Sequence, residues 1–483
     1  KRKYFNPQLR EILVSVLENQ NKELNLSDKT KLHIHQLKSE NTFTVTTGHQ
    51  LNLFTGPLYV IYKILTTINL AVKLQKNFPE NKFIPVFWMA TEDHDFEEIN
   101  HFWVSNKKIQ WNKKSGGAVG EITTDDLQTV FEQFKGIMKD QPNASDLFNL
   151  FEKSYLKHKH LAEANRFLIN EFFGAYGLVI IDGNDHRLKS QFKKYIVDEL
   201  IENCCFKEVE KCNIEIAKKY KVQVSPREIN LFYFIYGERQ RVVYERNKFH
   251  ILNTSKTFTQ DEMLEEVSNF PEKFSPNVLM RPLYQEVILP NLCYIGGAGE
   301  LAYWLQLKSY FERQKVDLPI LLHRNSAIIL TKKQLEKLHQ LNISLEELLI
   351  PLPQLINKKI EEISTVSIDF SKERENLNIM FSAMEKIAEL TDKSFIGAVR
   401  AQHQKQINGL NKLEKRLFKA EKRKHQIYIN QLTKIHLEIF PNNNLQERVK
   451  NISDFLILNK KFIEDLSNQF DPLSMSFDFL IVD

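Results

Sequence analysis

The chain has 483 residues, of which 42% are hydrophobic and 26% charged, with a formal net charge of +5. That length exceeds one compact core and predicts several structural units, and the composition is that of a globular rather than a disordered protein. The mild charge does not indicate a nucleic-acid binder, which needs a concentrated basic face, and no apolar run reaches the ~18 residues of a membrane span.

The N-terminus, KRKYFNPQLREIL, lacks the apolar core of a signal peptide. The first strand is expected at Thr42–Thr47, followed by a helix over 57–76 whose Leu58, Ile61, Leu65, Ile68 and Val72 keep helical spacing. Pro57 suits its first turn, where a missing N–H costs nothing. FIPVFWMA (Phe83–Ala90) reads as a buried strand ending at TEDHD, and LVIIDG (Leu178–Gly183) as another. The cysteines, Cys204, Cys205, Cys212 and Cys293, lack C-x2-C spacing, so a zinc site is not expected, and a reducing cytoplasm is the simplest compartment. Alternation across Gly237-Glu238 predicts a hairpin within 230–246. Leu292–Phe311 repeats the order strand, glycine turn, helix, and LPILLH (Leu318–His323) is a further buried strand. Strands alternating with helices predict a mainly parallel α/β sheet with right-handed crossovers, a Rossmann-like core over residues 1–345. Segments near 104–160 and 205–275 read as insertions into it.

From about Leu335 helical patterns dominate. Ile407, Leu410, Leu413, Leu417 and Ala420 form a coiled-coil seam, continued less regularly by Tyr428, Leu432, Ile435 and Ile439. FPNNN (Phe440–Asn444) should end that helix. A return helix over 445–466 would then make an antiparallel hairpin, giving a helical domain over 346–470, and the alternating SFDFLIVD (471–483 with its lead-in) would return to the core sheet as a strand. The basic run Lys412–His425 is interrupted by acidic residues and keeps its apolar spacing, as the solvated face of a coiled coil does.

Three strand-to-helix turns carry the candidate chemistry, and ligands of open α/β sheets sit at such carboxyl ends. In TGHQLNLFTGPLYVIYK (Thr47–Lys63), Gly48 and Gly56 permit close backbone approach. Tyr59 and Lys63 share a helix face near an anion-attracting N-terminus, within reach of a phosphate or carboxylate. Thr47, Gln50 and Thr55 complete that turn as candidate binding residues, with Trp88 at the end of the next strand. The run Glu92, Asp93, His94, Asp95 packs three carboxylates together, which resist simultaneous ionisation unless a cation or proton intervenes. They suit orienting an amine, acting as a base, or capping a helix and pairing with arginine. A metal is not expected, because successive positions rarely all point inward. Asn100 and His101 offer hydrogen bonds to a polar substrate. The third turn, YIGGAGE, presents Gly296, Gly297 and Gly299 with Glu300 opening the helix. Arg281 and Arg324 are candidate carboxylate or phosphate partners, or ordinary ion-pair residues.

TGHQLNLFTGPLYVIYK, PVFWMATEDHDFEEINHFW, RPLYQEVILPNLCYIGGAGELAYWLQLK and AEKRKH followed by LQER together resemble the cysteine-adding ligase family of bacillithiol biosynthesis. The resemblance covers nearly the whole chain. It implies a core related to class I aminoacyl-tRNA synthetases and nucleotidylyltransferases, two inserted connecting subdomains, and a coiled-coil domain used for homodimerisation. It also implies the joining of the carboxyl of L-cysteine to the amine of glucosaminyl-malate, with ATP as a cosubstrate through a cysteinyl-adenylate and with neither nucleic acid nor membrane as partner. Catalytic roles would then fall to Lys63, Asp93, His94 and Asp95. TGHQ and FTGP stand where synthetases carry H-I-G-H, and K-M-S-K-S is absent. A nucleotidylyltransferase acting on another small acceptor, and a coiled-coil assembly protein with a degenerate nucleotide-binding core, are the alternative readings.

Overall fold

Five strands form the expected parallel sheet: β1 (Thr42–His49), β2 (Lys82–Met89), β3 (Val179–Asp182), β4 (Asn291–Gly296) and β5 (Ile320–His323). This computed structural model describes residues 5–366 and 369–482. The strand order is β5-β4-β1-β2-β3, and every neighbouring pair is parallel. The chain runs outward from β1 through β2 to β3, then returns past β1 to lay down β4 and β5. The direction therefore reverses between β1 and β4, and a crevice opens at their carboxyl ends.

A sheet covered on both faces selects nearly continuous apolar strands, and alternate residues choose the layer. Ile84, Val86 and Trp88 of β2 pack with Val179 and Ile181 of β3 against Leu13, Val14 and Leu17 of the helix Pro7–Gln20. Phe83, one position out of phase, joins Val45, Cys293 and Ile295 against Leu70 and Ala71 of the helix Tyr59–Asn77. The polar residues of β1 are satisfied internally, since Thr44 and Thr46 both donate to Asn291 Oδ1, at 3.2 and 2.8 Å.

The insertion between β2 and β3 contains a short hairpin (His101–Val104 with Lys107–Gln110) and helices that share an aromatic core. Phe102, Phe134 and Phe151 surround Phe54 there, with ring centroids 5.2–5.6 Å from it. The insertion between β3 and β4 holds an antiparallel sheet in the order Phe274–Pro276, Leu231–Ile235, Glu238–Glu245, Lys248–Ile251, Thr257–Phe258. Its first hairpin turns at Tyr236 (φ 52°) and Gly237 (φ 75°), the two positive-φ positions of a tight two-residue turn.

The chain divides into two units, one built from the chain up to Ile328 together with Leu445–Asp478, the other from Ile329–Asn444 and the last residues. In the second unit the antiparallel helix pair is Ser371–Glu389 with Lys393–Lys424. Arg374 donates to Glu414 at 2.8 Å, Phe381 stacks on His403 at 4.8 Å, and Arg400 donates to Glu385 at 3.2 Å. The partner helix thus precedes the seam rather than following it, and Leu413 of the seam is left 55% exposed. The expected return helix over 445–466 does not form. It is broken into Gln446–Arg448, Ser453–Leu456 and Phe462–Gln469, with Asn459 accepting from Lys461 N at 2.9 Å in the second break and the Asn451 side chain competing for backbone partners in the first. It accepts from Ser453 N at 3.0 Å and donates to the carbonyls of Phe54 and Gly56 at 2.7 and 2.6 Å. The helical unit accordingly ends near 444, not 470. The C-terminal strand Phe477–Val482 pairs with Ser326–Thr331 instead of joining the parallel sheet. Among the described residues no helix is long and apolar enough to cross a membrane.

Candidate active site

A cavity of ≈ 640 Å³ opens at the carboxyl ends of β1, β2 and β4, walled by all three glycine or acidic turns and by the sheet of the second insertion. Of the expected residues, Gly48, Gln50, Tyr59, Trp88, Glu92, Asp93, His94, Asp95, Arg281, Gly297 and Glu300 line it. Gly299 and Arg324 line it as well, while Thr47, Thr55, Gly56, Lys63, Asn100, His101 and Gly296 do not.

At the end of β1, Thr47 is buried and donates to Ile295 O at 2.8 Å, tying β1 to β4 rather than facing the cavity. A Cβ on Gly48 would sit 3.3 Å from Trp88 Cβ, so the glycine lets strand and indole close up. Beyond it, Phe54, Thr55 and Gly56 adopt φ of 46°, 66° and 61° in succession. This left-handed run turns the Phe54 ring into the first insertion, and a Cβ on Gly56 would lie 2.6 Å from Asn52 Cβ. Thr55 and Gly56 therefore shape a turn and do not reach the cavity, contrary to the expectation that they bind a ligand.

Lys63 is also placed differently from the expectation. It is 1% exposed, and its ammonium donates to Gly48 O at 2.5 Å and to Glu300 Oε1 and Oε2 at 2.9 and 2.8 Å. An ammonium has three donors, so all are committed within the protein and none is left for a phosphate. Glu300 accepts in addition from Tyr294 Oη at 3.0 Å and Gly297 N at 2.9 Å. Burial pushes this carboxyl up, but Lys63 and the Gly297 N–H outweigh it and hold it at about 2. Gly296 packs against its own helix, where a Cβ would stand 2.9 Å from Leu301 Cδ2, and it does not line the cavity.

His49, just inside, is pushed down to about 3 by burial and then by Lys63, so it is a neutral imidazole at pH 7. Tyr59 meets it edge-on at 5.3 Å, and the Arg324 guanidinium lies 5.4 Å above the tyrosine ring. Arg324 is buried and forked onto Glu447 at 2.9 and 2.5 Å, while its Nε is buried without a partner. Arg281 stands 6.0 Å from the rings of Trp88, Tyr294 and Trp304 and donates to Gln285 at 3.1 Å.

The acidic turn eases its own repulsion by sending Glu92 and Asp93 to different donors. Glu92 accepts from the fully buried Lys189, which also donates to Phe274 O at 2.6 Å. Asp93 accepts from Gln50 Nε2 at 2.8 Å and from His94 N at 2.7 Å, and the same Gln50 amide reaches Glu98 at 2.8 Å. His94 Nδ1 lies 3.0 Å from Arg239 Nη1. The backbone is pinned by Val119 N to Asp93 O at 2.7 Å and Gly120 N to Thr91 O at 2.9 Å. Among the described residues no group of three or more His, Cys, Asp or Glu is arranged to hold a metal ion. Asn100 and His101 bond to each other at 3.1 Å at the base of the first insertion and do not line the cavity, because the helix Phe96–Ile99 carries them past its rim.

A family model described as "Bacillithiol biosynthesis BshC, N-terminal Rossmann-like domain" matches residues 1–325, and one described as "Bacillithiol biosynthesis BshC, C-terminal coiled-coil domain" matches residues 327–482. The chain belongs to the BshC family. Relatives carrying the name "Putative cysteine ligase BshC" include those of Christiangramia forsetii, 48% identical over 99% of this chain and 90% of the relative, and of Flavobacterium johnsoniae, 47% identical with the same coverage. A third, from Flavobacterium psychrophilum, is 48% identical, again over 99% and 90%. Among solved structures, one described as a "putative arginyl t-RNA synthetase" from Campylobacter jejuni aligns over 96% of this chain and 98% of that one, at a TM-score of 0.24 and 11% identity. That likeness carries no argument, and the Rossmann-like core rests on the strand order and the family match.

Several cavity residues of this BshC-family chain have no local sequence signal. Arg239 comes from the second insertion, and Arg448 from the segment expected to be a return helix. Lys189 reads as one more charged residue on a short helix, yet it is fully buried behind Glu92. His49 was visible only as part of the His-Gln pair that follows Gly48.

Proposed function

We propose that the chain is a ligase joining the carboxyl of L-cysteine to the amine of glucosaminyl-malate. The observation that carries this reading is the polarity of one cavity. Its lining carries both signs: the carboxylates of Asp93, Asp95 and Glu98, and the guanidinium groups of Arg227 and Arg448, which have no ion-pair partner among the described residues. Such a lining suits a substrate with an amine and a malate dicarboxylate. Family membership and the names of the relatives support the same reading.

A carboxylate is a poor acyl donor, so the reaction needs activation, and we propose ATP as the cosubstrate. The cysteine carboxylate oxygen attacks the α-phosphorus and pyrophosphate leaves. The amine nitrogen then attacks the acyl carbon, AMP leaves, and the proton lost by nitrogen passes to a carboxylate, for which Asp93 is the candidate. The unpartnered Arg324 Nε and the N–H groups opening the helix Ala298–Leu305 supply donors of the kind phosphate oxygens take. Neutral His49 can donate a hydrogen bond to an oxygen gaining charge. Lys63 acts one layer back, by fixing Glu300. The same reading makes the enzyme a cytoplasmic homodimer associating through the helix pair, where Ile379 and Ile387 are each 64% exposed.

The test is mass spectrometry of purified protein incubated with cysteine, glucosaminyl-malate and ATP, scoring the amide and AMP. Absence of the amide would reject the ligase reading. Amide without AMP would reject activation through an adenylate while leaving the ligase standing.

A further inference from the structure

The inserted antiparallel sheet reaches the cavity through Arg239, which stands just after the hairpin turn in the strand Glu238–Glu245. The side chain is 9% exposed and fixed from three sides. Its Nε donates to Ser275 Oγ at 3.0 Å, Nη2 donates to Pro276 O at 2.9 Å, and the guanidinium lies 4.0 Å over the Phe232 ring. The remaining nitrogen, Nη1, stands 3.0 Å from His94 Nδ1. A guanidinium has donors and no acceptor. The hydrogen bond therefore requires a lone pair on Nδ1, and the imidazole proton must sit on Nε2.

We infer that Arg239 is a positioning residue that locks His94 as the neutral Nε2–H tautomer, so that the histidine meets substrate as a hydrogen-bond donor and not as a base. The role toward substrate rests on the ligase reading; the tautomer does not. A second proton on Nδ1 would set an N–H against a guanidinium N–H, so the charged imidazolium is disfavoured by the same contact. The other groups facing the ring are Asp93, whose Oδ1 is 3.7 Å from Nδ1, Asp95 on the same turn, and Arg227 and Phe232 of the insertion. The two carboxylates favour the charged form and the two arginines oppose it. Burial, then Arg239, dominates and lowers His94 below its ordinary value. The proton of the attacking amine is thereby left to a carboxylate, since the only basic nitrogen of His94 is already occupied.

The decisive measurement is long-range ¹H–¹⁵N NMR of the full chain labelled at histidine, with His94 assigned by loss of its signals in His94→Gln. The expected spectrum shows a protonated Nε2 and an unprotonated, hydrogen-bonded Nδ1, with a titration midpoint below the ordinary 6.5. In Arg239→Met the midpoint moves upward and the two tautomers mix. In Arg239→Lys, which keeps a cationic donor, it falls between the two. A proton on Nδ1, an ordinary midpoint in the unaltered protein, or an unchanged midpoint in Arg239→Met would each overturn the inference. Should Arg239→Met fail to fold, the unaltered protein and Arg239→Lys decide the matter. The pH profile of amide formation provides the second readout. An acid limb from imidazolium formation should appear at higher pH in Arg239→Lys than in the unaltered enzyme, and coincident profiles would overturn the role toward substrate. If the unaltered protein makes no amide, the ligase reading fails while the tautomer result stands.

Discussion

Replacing Lys63 by Met removes an ammonium from a site that is 1% exposed and leaves the Glu300 carboxylate, 28% exposed, with only the Tyr294 hydroxyl and the Gly297 N–H. Breaking a buried pair from one side costs about 3–5 kcal/mol. The two remaining donors and the partial exposure set the expectation near the lower end, about 3 kcal/mol. Linkage gives a figure of the same order. Glu300 is held at about 2 against an ordinary 4.5, a shift whose free energy is about 3 kcal/mol at 1.36 kcal/mol per unit, part of it offset by the burial of Lys63 itself. A depressed carboxyl stabilises fully above its unfolded value, so the contribution is present at pH 7, starts to fall below about 4.5 and is lost near 2. All four tryptophans, Trp88, Trp103, Trp111 and Trp304, lie in the first unit, so urea unfolding followed by tryptophan fluorescence reports on that unit alone. Lys63→Met and Glu300→Gln should each lower stability by about 3 kcal/mol, and the double variant should fall short of their sum by about 2 kcal/mol. Single losses below about 1 kcal/mol, or strict additivity, would refute the account of Lys63 as the anchor of Glu300.

Gly56→Ala forces a Cβ to 2.6 Å from Asn52 at φ 61° and should cost about 1–3 kcal/mol in the same urea assay; a loss under about 0.5 kcal/mol would show that the turn relaxes freely. Asn451→Ala strips two buried carbonyls of their donor, with an expected loss of about 2–3 kcal/mol, and an unchanged midpoint would contradict the tether drawn above. Asp93→Asn should slow amide formation by about 10²–10⁴-fold, the usual worth of a general base, while hardly moving the urea midpoint; near-normal turnover would remove Asp93 from the chemistry. Because His49 is held near 3, its charge does not change between pH 5 and 8. The pH–rate profiles of the unaltered enzyme and of His49→Gln should therefore have the same shape over that range, and a limb abolished by the substitution would be the contrary result.

The elements of the parallel sheet were legible because β1 carries alternating β-branched residues, the other four strands carry apolar runs, and glycine turns punctuate them. The turns that wall the cavity were legible too, since Gly48 ends one strand and Asp93 and Gly297 follow others, all at carboxyl ends near the reversal between β1 and β4. What a local pattern cannot encode is the identity of a partner far away in the chain. Lys63 looked like a ligand for anions because Glu300, the anion it binds, lies 237 residues later. Arg239 and Lys189 were silent for the same reason. The return helix is interrupted twice, near Asn451 and near Asn459. The apolar spacing of 445–466 is helical, but the side chain of Asn451 finds two carbonyls nearly four hundred positions upstream, and three short pieces replace one long helix.

The segment Leu445–Asp478 also dictates an order of events during synthesis. It supplies Glu447 to Arg324, Asn451 to the turn at Gly56 and Arg448 to the cavity lining, yet it is translated only after the whole of Ile329–Asn444. A nascent chain halted anywhere in the helical unit would carry every strand of the parallel sheet and all three cavity turns, with Arg324 still lacking the carboxylate of Glu447. Closing so long a connection adds little entropic cost, because that cost grows only logarithmically with its length. The sheet can thus form early on the ribosome, while the cavity is completed only once Leu445–Asp478 has been made, and a chain ending at Asn444 should fold its strands but lack part of the cavity wall.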